Sequence, residues 1–247
     1  MLSARTLYHF AAGVSTIVVF PQFWSQHMSA GSLVPPHGGT LVNRIVSETQ
    51  AAALRKEAAS LPQIELSNKQ ACDLEMIAIG AFSPLTGYCC KADFESICNT
   101  MRLANGTVFP IPITLAVGGD VKATLAEGGR AALCHADGTL LAVMDVTEIY
   151  SHDRDIEMAG VFRTTDEAHP GVKAVMDEGD CCVGGDIHVI TVTPEHDAVE
   201  QFPKYRLTPA QTREAFVAKG WKTVAAFQTR NPIHRAHEYL CKCATEI

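Results

Sequence analysis

Near its C-terminus the chain reads Val224-Ala225-Ala226-Phe227-Gln228-Thr229-Arg230-Asn231-Pro232-Ile233-His234-Arg235-Ala236-His237. The apolar start predicts a short buried strand over 222–227, followed by a polar loop over 228–231. Pro232 suits the first position of a helix, with Asn231 as its cap. Just upstream, Thr208-Pro209-Ala210-Gln211 is a capping-box pattern with proline at the first helical position. That helix is expected to run to about residue 219 and to end at Gly220. Helix, strand, loop and helix together form the opening of a doubly wound α/β domain.

The same stretch carries the chemistry. Open α/β sheets bind ligands where a loop leaves the carboxyl end of a strand. The helix that follows turns its free N–H groups and positive dipole end toward that loop, which favours an anion. Arg230 adds a planar fork for phosphate or sulfate oxygens. Gln228, Thr229 and Asn231 add neutral donors. With Pro232 first in the helix, His234 is third and His237 sixth, so they share one face near the N-terminus. Two imidazoles there can stabilise charge on a triphosphate as it breaks. Blander readings stand beside this one: paired surface histidines, a surface ion pair for Arg230, or metal ligands. His-Arg-Ala-His-Glu is not the His-Glu-x-x-His of zinc proteases, and no protein-bound metal is expected. The joint pattern of strand, Gln-x-Arg-Asn-Pro-x-His-x-x-His and helix favours the functional reading.

Working toward the N-terminus, 36–203 reads as a separate domain of short strands and a few helices. Residues 48–60 form an amphipathic pattern stopped by Pro62. Ser67 and Gln70 make a capping box. Ala71, Leu74, Ile77 and Ala78 then give one apolar face, and Gly80 fits the C′ stop. Asn105-Gly106 and Asp137-Gly138 are hairpin signals, the second flanked by 130–135 and 140–150. The extended run 108–117 contains Pro110 and Pro112, which confine it to an edge or an irregular strand. Gly184-Gly185 reads as a turn before a strand over 187–193. The resulting fold class is α+β, a small barrel with flanking helices, followed by the start of an α/β domain over 204–247.

Composition limits the function classes. The chain has 247 residues, 47% of them apolar and 19% charged, which supports a sizeable core. Its net charge of −7 argues against a general nucleic-acid binder. No apolar run is long enough to span a membrane. Nine cysteines without a Cys-x-x-Cys spacing read as free thiols in a reducing compartment, hence a cytoplasmic protein. Residues 1–47 hold no acid and two arginines, Arg5 and Arg44, with an apolar run over 11–20. Residues 1–35 therefore read as an N-terminal extension. One alternative is a targeting segment, secretory or for an organelle such as a mitochondrion or plastid; the other is an over-long start ahead of Met28.

The segment 224–237 resembles the signature of ATP sulfurylase, the sulfate adenylyltransferase family, in its microbial form. Further likeness lies in Pro36-His37-Gly38-Gly39, Gly80-Ala81-Phe82-Ser83-Pro84-Leu85-Thr86-Gly87, Phe109-Pro110-Ile111-Pro112-Ile113-Thr114-Leu115, His169-Pro170-Gly171-Val172 and Leu207-Thr208-Pro209-Ala210-Gln211. The resemblance covers about residues 36–247. It implies a PUA-like barrel before a Rossmann-like nucleotidyltransferase domain, and conversion of ATP and sulfate to adenylyl sulfate and pyrophosphate. It further implies that Gln228 and Arg230 bind sulfate and that 228–231 line the ATP phosphates. Thr229, Arg230 and Asn231 match the catalytic triplet, while His234 and His237 stabilise the pentavalent state and the departing pyrophosphate. Magnesium is implied as a companion of the nucleotide, and a homo-oligomer as the full-length state.

Family catalytic domains continue past this motif, so the sequence is expected to be a fragment that is inactive alone. Three rivals remain open: a non-catalytic PUA-like binding module, an adenylyltransferase for another anion, and a structural protein that has lost activity through truncation.

Overall fold

Two serines start the first helices among the described residues. Ser47 caps α1 (Glu48–Ala58) and Ser67 caps α2 (Asn68–Ala78), each accepting from the backbone N–H three residues on. Gln50 and Gln70 return the bond to the cap N–H, at 3.1 and 2.9 Å. Both capping boxes satisfy helix N–H groups that would otherwise lack partners. Gln70 also donates from Nε2 to the Ala116 carbonyl at 2.8 Å, tying the helix start to the sheet. Gly80 ends α2 at φ +82°, and a Cβ there would lie 2.2 Å from the Val42 carbonyl oxygen. The stop therefore needs glycine for its backbone angle and for its lack of a side chain.

The computed structural model describes residues 33–192, 205–229 and 231–245. The expected extension over 1–35 lies almost wholly outside them. Contacts divide the chain into a unit Pro35–Trp221 and a second unit that includes Lys222–Ile247. No helix among the described residues is long and apolar enough to cross a membrane.

In the first unit the later elements are β1 (Gln63–Glu65), β2 (Gly87–Tyr88), α3 (Lys91–Thr100), β3 (Ala116–Val117), α4 (Gly119–Lys122), β4 (Arg130–Cys134), β5 (Leu140–Asp145), β6 (Glu148–Ser151), α5 (Arg154–Glu157), α6 (Pro170–Met176), β7 (Cys181–Val189) and α7 (Pro209–Ala218). A π-helical turn, Met158–Phe162, follows α5 directly. Among the described residues the strands form one curled sheet in the order β1-β4-β5-β7-β2, with β3 and β6 also paired to β7. β1 runs parallel to β4, and the other pairs are antiparallel. Ala71, Leu74, Ile77 and Ala78 of the predicted face of α2 share one buried core with Leu133, Leu141, Met144 and Ile187 of this sheet. That burial supplies the main stabilisation of the unit, at about 25 cal/mol per Å² of apolar surface.

The Asp137-Gly138 hairpin forms as the sequence predicts. Gly138 has φ +86°, and the Thr139 N–H donates to Asp137 Oδ1 at 2.8 Å. The run 108–117 is irregular apart from β3, in keeping with its two prolines. Residues 140–150 make two strands, because the chain turns a corner after Asp145 and the Thr147 N–H reaches the Gly184 carbonyl at 3.0 Å.

Gly184-Gly185 corrects the sequence reading. It is not a turn but lies inside the nine-residue strand β7. Up to and including Gly184, β7 pairs with β6 and β3; from Gly185 onward it pairs with β5 and β2. A Cβ on Gly184 would meet the Cys90 Cα at 2.6 Å, and one on Gly185 would meet the Asp145 carbonyl oxygen at 2.0 Å. Glycine here serves close backbone approach where the sheet curls.

A buried ion pair lies beside the same strand. His152 follows β6, and its side chain is wholly buried. Its Nε2 is 2.6 Å from Glu157 Oε2, and its Nδ1 is 3.2 Å from the Gly179 carbonyl. Both ring nitrogens thus face acceptors, which suits the imidazolium. Burial opposes that charge, but the hydrogen bonds to Cys182 and Glu157 outweigh it and hold the ring up to about 10. Phe94 packs edge-on against the ring at 5.8 Å.

Two measurements check this account. Gly184→Ala and Gly185→Ala should each lower unfolding free energy in urea by about 3 kcal/mol, as overpacking against backbone does; a loss of under about 1 kcal/mol would refute the close approach. The His152 pair stabilises the fold fully below the unfolded imidazole range, near pH 6.5, and is lost as pH rises toward 10. Urea unfolding should therefore show a decline on the order of 2 kcal/mol across that window. The double variant His152→Leu/Glu157→Leu should lack it, and an equal decline in the variant would contradict the assignment.

Candidate anion site at the head of the last helix

Helix α7 begins as its sequence predicts, with Thr208 as cap, Pro209 first and Gln211 closing the box. Gly220 follows it at φ +66°. Before it, Arg206 pairs with the buried Glu75 of α2. After it, Trp221 stacks on Phe216 with ring centroids 5.9 Å apart.

The second unit departs from the sequence reading in two places. Residues 222–227 are irregular and largely exposed rather than a buried strand. A strand exists through its ladder bonds, and no described residue supplies them here. The last helix, α8 (Arg235–Thr245), starts at Arg235 and not at Pro232. His234 is therefore the cap instead of the third residue, and His237 is the third instead of the sixth.

This shift has a local cause. The Ala236 N–H donates to His234 Nδ1 at 3.3 Å, and the His234 N–H donates to His237 Nδ1 at 3.4 Å. The first regular helical bond runs from the Glu238 N–H to the His234 carbonyl at 3.0 Å. Two histidines thus reproduce the reciprocal bonding of a capping box, while Asn231 is held elsewhere. The Asn231 N–H donates to Thr229 Oγ1 at 3.1 Å, and the Thr229 hydroxyl donates to the Asn231 carbonyl at 3.3 Å. The imidazoles of His234 and His237 lie against each other at a tilt, with centroids 3.9 Å apart and planes 34° apart. Phe227 packs beside His237 at 5.5 Å.

The structure thus brings His234, His237 and Phe227 together, and fixes Thr229 against Asn231. Gln228, Asn231 and His234 are exposed; Thr229 and His237 are half-buried. Arg230 lies outside the described residues. The capping roles of the histidines escaped the sequence reading, although the spacing of cap and third residue was visible in His-x-x-His. What gathers here is a helix N-terminus with its dipole, small neutral donors and two imidazoles, a set suited to phosphate-like oxygens. No carboxylate occurs between 222 and 237. Among the described residues no three His, Cys, Asp or Glu side chains gather as metal ligands.

Known proteins place both parts of the chain. Residues 34–192 match the family model of the PUA-like domain, and residues 203–247 match that of ATP-sulfurylase. The chain is 48% identical over 218 residues to a sulfate adenylyltransferase of Synechococcus sp. (strain JA-3-3Ab), covering 88% of this chain and 54% of that protein. It is 46% identical over 214 residues to a sulfate adenylyltransferase of Nostoc punctiforme, covering 87% and 54%. The chain thus spans about half the length of the curated relatives it matches. Among solved structures it is similar to a hexameric APS kinase from Thiobacillus denitrificans. That match has a TM-score of 0.68 and 32% identity, over 87% of this chain and 38% of the other. Through residues 34–192 the chain belongs to the PUA-like domain family, and residues 203–247 add a segment similar to ATP-sulfurylase.

Proposed function

We propose that the chain serves a sulfate adenylyltransferase, in which ATP and sulfate give adenylyl sulfate and pyrophosphate. The observation that carries this reading is the head of α8, where two adjacent imidazoles and a helix N-terminus meet a loop of neutral donors, within a segment that matches ATP-sulfurylase. In this reaction a sulfate oxygen attacks the α-phosphorus of ATP, and the bond to the β-phosphate oxygen breaks to release pyrophosphate. Sulfate is a weak nucleophile, so positioning and charge stabilisation must supply most of the rate.

Each residue then has a task. Gln228 and Arg230 hold sulfate, and 228–231 line the ATP phosphates. Thr229 keeps Asn231 in place through its paired hydrogen bonds, and the two residues complete the catalytic triplet with Arg230. His234 and His237 stabilise the pentavalent state and the leaving pyrophosphate. With no carboxylate in 222–237, magnesium would arrive on the polyphosphate oxygens rather than on a protein site. We extend the reading to a homo-oligomer, supported by the structural neighbour described as hexameric.

A chimera tests this. Residues 34–247 replace the matching half of the Synechococcus relative, and sulfate-dependent pyrophosphate release from ATP is measured. The chimera should turn over. Arg230→Ala should lower kcat/KM by about 10²–10³ and His237→Ala by about 10², the range for removing one charge-stabilising donor. A folded chimera without activity, or full activity in both variants, would contradict the proposal.

A further inference from the structure

Helix α7 belongs to two groupings at once. Its sequence falls in the segment 203–247 that matches ATP-sulfurylase, while its contacts place it in the unit Pro35–Trp221. Yet none of its ten residues is buried. A helix of that length is marginal by itself in water, and deep apolar burial does not hold it here. A polar contact just before its start does. Arg206, two residues ahead of the Thr208 cap, donates from Nη2 to Glu75 Oε1 of α2. The Glu75 side chain is 7% exposed and the Arg206 side chain 40%. A carboxylate so deeply buried is costly unless a cation and its hydrogen bonds reach it. The guanidinium also acts on Cys72, one turn earlier on α2. Burial pushes that thiol up, Glu75 and Asp73 add to the effect, and Arg206 opposes them.

We infer that the Arg206–Glu75 pair is a latch: it docks α7 on α2, and its release lets α7 open while the curled sheet stays folded. The unequal burial of the partners sets which side moves. Glu75 is fixed in α2, whose opposite face is packed in the core. Arg206 is close to water, so opening swings the guanidinium and the helix behind it outward. The cost of opening is the buried carboxylate left without its partner, and that cost keeps the latch shut. Because α7 ends just before Lys222, the latch also anchors the stem from which the second unit continues.

Amide hydrogen exchange of the ¹⁵N-labelled 247-residue chain, followed by nuclear magnetic resonance, tests the latch. Arg206→Ala alone would strand a buried charge, so the variant measured is Glu75→Gln/Arg206→Ala. Its amides at 212–219 should exchange at least about tenfold faster, the worth of one hydrogen bond to a charged group, while those of β4, β5 and β7 keep their protection. Unchanged exchange at 212–219 would overturn the inference. So would equal acceleration in the sheet, which is the mark of a pair that stabilises the whole unit. The unaltered chain gives a second readout. In low concentrations of urea, exchange at 212–219 should depend on denaturant less steeply than exchange in the sheet, because local opening exposes less surface than global unfolding. Equal slopes would mean that α7 opens only with the sheet, and would contradict the latch. No nucleotide or sulfate enters either measurement, so failure here is separate from failure of the enzymatic reading.

Discussion

At Gly185 the backbone of β7 comes so near the Asp145 carbonyl that a Cβ would sit 2.0 Å from the oxygen. The rest of the first unit depends on that approach. Because β7 can pass so closely, it pairs with four strands: β6 and β3 through its first half, β5 and β2 through its second. The sheet curls around this strand and presents one inner face to α2. The buried His152–Glu157 pair sits near the first half of β7, where Cys182 faces it. The PUA-like unit is thus organised by a strand whose two central residues have no side chains.

The second unit answers a problem of charge. A chain of net charge −7 repels anions at long range. Any anion site must rely on local groups; in the proposed reading these are Thr229, Asn231 and the head of α8. The exposed helix N-terminus, the Thr229–Asn231 turn and the neighbouring imidazoles put several donors within a few residues. Such an arrangement favours a polyphosphate through directed hydrogen bonds more than through bulk charge.

How much of this was legible in the sequence differs by element. Capping boxes at Ser67 and Thr208 were read because the bonding partners lie three residues apart, and both formed; the box at Ser47 has the same spacing but was not read. The apolar face of α2 and the Asp137-Gly138 hairpin were legible for the same reason. Gly184-Gly185 misled because the pair looks identical in a turn and in a strand under close approach; only its distant neighbours, Cys90 and Asp145, decide. Residues 222–227 have a strand's composition, but composition cannot provide the neighbouring strand that a ladder requires. At the site, the residue types in Gln-x-Arg-Asn-Pro-x-His-x-x-His pointed to anion chemistry. The helix start was misplaced by three residues, because Asn-Pro is the commoner cap and a histidine cap is rarely considered.

The central claim is that anion recognition by this chain lies at the head of α8 and not in the PUA-like unit. Titration of the ¹⁵N-labelled chain with inorganic pyrophosphate, followed residue by residue through its amide resonances, tests it most directly. The account predicts saturable shifts concentrated at 228–238, with the resonances of 35–192 unmoved. Shifts centred in the PUA-like unit, or none at 228–238 at saturating pyrophosphate, would contradict it.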